Sequence, residues 1–160
     1  MRLSKKSIFA LLAVCLLLTG IAAAVLFFSS QTPQERFGIY LSQSNQLVIS
    51  DKDIVCYNQS SHEMTLTEEG IGKLDALTVP VRGTPFVVRL NGKEVYNGSF
   101  WTPISSISCD GIVVEVFRDH NAIVKIQRGY PSSDFASPGA DPRNSPEIMG
   151  YFQKIGKLTQ

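Results

Sequence analysis

Residues 86–101 read FVVRLNGKEVYNGSFW, two β-prone runs joined by Asn91-Gly92. Both turn residues tolerate the positive φ of a type I′ turn. A two-residue loop of that kind between apolar runs is the strongest short-range signal for a β-hairpin. The expected register sets Leu90 against Lys93, Arg89 against Glu94, Val88 against Val95 and Val87 against Tyr96. Directly opposed residues share one face of a sheet, so Leu90, Val88 and Val95 mark a buried face and the Arg89/Glu94 pair a wetter one. A hairpin with an apolar face needs another layer to cover it.

Upstream, residues 37–41 and 47–49 read as short strands around a Ser/Gln/Asn turn. Ser50 can then cap a short helix with Asp53 at its third position, Ile49 and Ile54 standing where a hydrophobic staple would join them. Residues 56–61 carry no helical period, and a strand follows at 62–66. Thr67 is the next N-cap, with Glu68 and Glu69 in the first turn where their charge meets the positive end of the helix dipole. Ile71, Leu74 and Leu77 share one face of that helix. Gly70 and Gly72 weaken it by ~1 kcal/mol each relative to Ala, so burial against the hairpin has to hold it.

Downstream, residues 103–110 form a Ser-rich turn, and 111–117 and 122–127 two further strands. The expected fold is α+β: a mainly antiparallel sheet of about six strands with helices on one face, preceded by one transmembrane helix. Its domain runs over 37–128. Residues 129–160 read as a Pro/Gly/Ser loop and a short amphipathic helix, opened by Ser145 and Pro146 and carrying Ile148, Phe152 and Ile155.

The expected transmembrane helix is the run at 8–28, IFALLAVCLLLTGIAAAVLFF, which holds no charge. At ~1.5 Å per residue it is roughly 32 Å long, enough for a hydrocarbon core of about 30 Å. A cleaved signal peptide is the rival, given Arg2, Lys5 and Lys6 before the run and small residues at 22–24. The apolar run continues past any cut there, which favours an uncleaved anchor with a linker at 29–36. Cys15 lies inside the run and reads as one of its apolar residues rather than a lipidation site. Three basic residues within 1–7, on one side of the run alone, place the N-terminus in the cytoplasm and the rest outside. Without those three cations the chain carries twelve Lys and Arg against fourteen Asp and Glu. A mildly acidic balance with no basic cluster argues against nucleic acid as a partner, and leaves the lipid bilayer contacted through 8–28 alone.

Across 47–111 the order of short motifs resembles the head of the first large periplasmic domain of SecD, the accessory subunit of the protein-export translocon. The motifs are Ser50-Asp-Lys-Asp-Ile54, Leu66-Thr-Glu-Glu-Gly70, Gly83-Thr-Pro85, Leu90-Asn-Gly92-Lys-Glu-Val95 and Pro103-Ile104. The resemblance implies a fold and a tendency to contact exported polypeptide. It brings no catalytic residue. The family's proton-driven work does not carry over, because the one candidate span holds no ionisable residue.

Chemistry-bearing residues are few. Cys56 and Cys109 are an even pair in an oxidising compartment and can cross-link, closing a loop worth roughly 4 kcal/mol; two buried free thiols are the alternative. His62 and His120 lack the close cysteine spacing of a zinc site. No G-x-S-x-G, H-E-x-x-H or phosphate-loop pattern is present, so no catalytic residue, metal or cofactor is expected. A surface of Tyr96, Phe100, Trp101 and Pro103 at the end of the hairpin is the candidate for partner contact, since aromatic residues bury large area with few torsions to fix. Burial of Trp101 in the core is the competing reading. These readings point to a membrane-anchored, extracytoplasmic, non-enzymatic module that binds exported polypeptide. The alternatives are an assembly module docking one membrane or cell-surface protein, and a membrane-anchored hydrolase built around His62 or His120.

Overall fold

The computed structural model describes residues 36–116 and 122–160. The expected span at 8–28, its flanks and His120 lie outside them, and among the described residues no helix is long and apolar enough to cross a membrane. Nine strands and two short α-helices are described: β1 (Phe37–Leu41), β2 (Leu47–Ser50), β3 (Ile54–Asn58), β4 (Glu63–Leu66), α1 (Glu68–Asp75), β5 (Thr84–Leu90), β6 (Lys93–Trp101), β7 (Cys109–Glu115), β8 (Ile123–Tyr130), α2 (Pro146–Lys154) and β9 (Leu158–Thr159).

The β5–β6 hairpin turns at Asn91 and Gly92, whose φ angles of 51° and 78° are those of a type I′ turn. Leu90 faces Lys93 and Arg89 faces Glu94, as the turn dictates. A bulge then shifts the register, so that Val88 opposes Tyr96 rather than Val95, and Val87 opposes Asn97. Val88 remains fully buried, and Tyr96 packs against the same core.

The strands form one mixed sheet in the order β2-β1-β5-β6-β7-β8-β4-β3-β9. This corrects the expected mainly antiparallel sheet of about six strands with helices on one face. Two pairings, β6 with β7 and β3 with β9, are parallel. The sheet also curls. β2 and β3 stand near opposite ends of the order, yet three residues join them. Phe152 of α2 touches both Phe37 of β1, at a ring separation of 4.9 Å, and Tyr57 of β3, at 5.5 Å. Ile148, Met149 and Phe152 therefore enter the main core between the two ends of the sheet. The C-terminal segment, expected outside the domain, supplies part of its core and its last strand.

Local signals hold where they are self-contained. Thr67 accepts a hydrogen bond from Gly70 N at 3.1 Å and caps α1. Pro146 opens α2, although Ser145 makes no side-chain cap bond. Residues 51–53 make a turn rather than the expected helix. The Ser50/Asp53 pairing survives in it, because the Asp53 carboxylate accepts from Ser50 N at 2.8 Å and Ser50 Oγ at 2.9 Å. Lys73 of α1 reaches the same carboxylate at 2.7 Å, and Asp53 O accepts from Thr67 N. Asp53 is 2% exposed. Burial pushes its carboxyl up, but the hydrogen bonds from Lys73 and Ser50 outweigh this and hold it below the usual range.

Candidate functional site

The proposed contact residues divide. Phe100 is wholly buried against Phe86, and Trp101 lies in a small second core with Val113 and Tyr130. Trp101 sits over Gly83, and its buried Nε1–H has no hydrogen-bond partner among the described residues. Tyr130 Oη donates to the carbonyls of Pro103 and Ser105 at 3.1 and 3.2 Å, tying the 102–108 turn over that core. Pro103 is exposed on this turn beside Ile104, which is 82% exposed. Ser105 Oγ bonds Val81 O at 2.6 Å, so half-exposed Val81 belongs to the same surface.

Cys56 and Cys109 are free thiols. Cys56 pairs with Thr65, which pairs with Ile123 at the start of β8, whereas Cys109 pairs with Tyr130 at its end. Seven residues along a strand set the two roughly 23 Å apart in that direction alone, and a disulfide needs Cα atoms within about 7 Å.

A polar cluster that the sequence does not announce lies inside the curl. His62, in the β3–β4 turn with φ 56°, shares a hydrogen bond of 2.8 Å between Nδ1 and the Tyr57 hydroxyl. Its Nε2 stands 3.9 Å from the Asp141 carboxylate. Arg143 grips that carboxylate through Nε and Nη2 and donates from Nη1 to Ile126 O at 2.8 Å. The Arg143 hydrogen bonds hold Asp141 at about 2. Burial, with Arg143 adding to it, lowers His62 below its ordinary value against the pull of Asp141. Burial likewise drives Tyr57 far above the usual phenol range. The result is a neutral Tyr57–His62 pair beside an ionised Asp141–Arg143 pair, which fastens the 131–145 segment to the sheet. Among the described residues no serine or cysteine hydrogen-bonds His62. Its Nδ1 is occupied by a phenol that burial keeps protonated, so this geometry is not that of a nucleophile and its base.

A cleft of about 290 Å³ opens between β6 and β7. These parallel strands pair only at Ser99 with Val113, Phe100 with Val114 and Trp101 with Glu115. Continued backwards, the ladder would set Asn97 beside Gly111, but the strands part. A bulge on the β7–β8 side falls between Cys109 and Ile112, and Ser137 holds Asp110 away by bonding its carbonyl at 2.9 Å and its carboxylate at 2.6 Å. Gly98 narrows the inner end: a Cβ there would stand 2.6 Å from Ile112 O. Exposed Asn97, Asp110 and Gly111 frame the mouth.

No family model, curated protein or solved structure matches the chain.

Proposed function

We propose that this chain is a membrane-anchored, extracytoplasmic module that binds extended polypeptide without catalysing a reaction on it. The parting of β6 and β7 carries the reading. Asn97 makes no ladder bond across to Gly111, so an incoming strand meets main chain on both sides of the mouth. Recognition through backbone needs little side-chain specificity, which suits a range of unfolded clients. The motif order over 47–111 that resembles the SecD head supports exported polypeptide as the client. The uncharged run at 8–28 with basic residues before it supports an anchor with the N-terminus inside.

Photo-crosslinkers at Asn97 and Gly111 of the full chain in native membranes test this. A spread of exported proteins captured at both positions is the expected result. Capture of nothing at either position would refute binding at the cleft. A second reading, docking to one membrane or cell-surface protein, is favoured by the apolar surface of Val81, Pro103 and Ile104. A crosslinker at Ile104 that captures one defined protein, with none at Asn97 or Gly111, would decide for it.

A further inference from the structure

A groove of about 420 Å³ runs between the hairpin tip and the outer face of α2. Glu147, Gly150, Tyr151 and Lys154 line it at helical spacing, on the side of α2 away from the core residues Ile148, Met149 and Phe152. Nothing lies within 4 Å of where a Cβ on Gly150 would stand, which leaves the helix side of the groove open. The opposite wall is set by the turn: Asn91 N bonds Arg36 O, and Lys93 follows Gly92.

Three cations from distant parts of the chain, Arg36, Lys93 and Lys154, thus face one concavity. Glu147 is the one carboxylate lining it. Asp51 does not line it; its carboxylate accepts a hydrogen bond from the Tyr151 hydroxyl. None of the three cations is in an ion pair among the described residues. Like charges gathered on a concave wall raise the local potential and favour an anion there.

We infer that this groove binds a phosphate ester. A phosphate presents oxygens in several directions and can accept from an arginine fork and two ammonium groups at once, whereas a planar carboxylate offers two oxygens in one plane. The volume leaves room for a small ester group beside the phosphate. A phospholipid headgroup and a soluble phosphate ester share this chemistry.

Amine acylation of the full chain in nanodiscs separates the sources, read at Lys93 and Lys154 with exposed Lys125 as the reference. The discs are phosphatidylcholine alone, phosphatidylcholine with phosphatidylglycerol, and phosphatidylcholine alone with added glycerol phosphate. An occupied groove slows labelling of Lys93 and Lys154, by about tenfold where ligand stands at about nine times its Kd, while Lys125 is unchanged. Protection in phosphatidylglycerol discs only identifies the headgroup, and protection by glycerol phosphate identifies a soluble ester. Protection in neither arm overturns the inference. So does slowing at Lys125 equal to that at Lys93, or protection of Lys93 that persists in the Arg36→Gln, Lys154→Gln double variant.

Discussion

Gly83→Ala should destabilise the domain by about 3 kcal/mol, for two separable reasons. Gly83 has φ +75°, where an L-residue costs roughly 1–2 kcal/mol. A Cβ there would also stand 2.4 Å from the Trp101 ring and 2.9 Å from Phe100 O. Trp101 is 4% exposed and packed against Tyr130 at 5.8 Å, so its ring has little room to retreat, and overpacking of that kind costs about 1–3 kcal/mol. A loss of about 3 kcal/mol lowers the melting temperature by roughly 10 °C for a domain of this size. Trp101 is the chain's one tryptophan, so its emission reports unfolding and local packing together. Gly72→Ala is the control, since nothing lies within 4 Å of its Cβ position and a helical alanine adds about 1 kcal/mol of stability over glycine. The expected outcome in urea is an earlier midpoint and red-shifted native emission for Gly83→Ala, and a later midpoint for Gly72→Ala. An unchanged midpoint and spectrum for Gly83→Ala would refute the packing of Trp101 on Gly83.

Two further substitutions probe the polar contacts. Burial lowers His62, so the unfolded chain takes up that proton first as pH falls. Stability present above pH ~6.5 is then lost on acidification through the lowered value, and His62→Asn, which tolerates the positive φ, should flatten the pH dependence of the urea midpoint between about 7 and 5. An equally steep decline in that variant would mean that another group controls it. Lys73→Met leaves Asp53 with Ser50 as its hydrogen-bond partner; because Lys73 is 39% exposed and screened, the loss should be only about 1 kcal/mol by urea titration at neutral pH. A midpoint unchanged by that substitution would show that the ion pair contributes nothing to stability.

The sequence is legible where a few neighbouring residues settle the geometry. Asn91-Gly92 gives the turn and the first two cross-strand pairs, Thr67 starts α1 and Pro146 starts α2. Reading fails where a single extra residue or a distant partner decides. The bulge in β6 displaces Val95 from Val88, and another between Ile54 and Cys56 breaks the alternation that would have marked β3, turning Val55 out to solvent. β9 contributes two residues, paired in parallel with a strand about a hundred positions away, and no local pattern announces it. The candidate sites are harder still. Phe100 and Trp101 look alike in sequence whether they cover a surface or fill a core. Asp141 and Arg143 meet His62 only because the 131–145 segment folds back against the sheet. Arg36, Lys93 and Lys154 are no cluster until the hairpin tip meets α2.

The cleft between β6 and β7 is tested most directly by hydrogen exchange on the full chain, with and without a permanently unfolded polypeptide. If an extended segment adds as a strand, the amides of Asn97 and Gly111 exchange more slowly when it is present, while those of the β1–β2 pair are unchanged. Unaltered exchange at both walls of the cleft under saturating polypeptide would contradict the account.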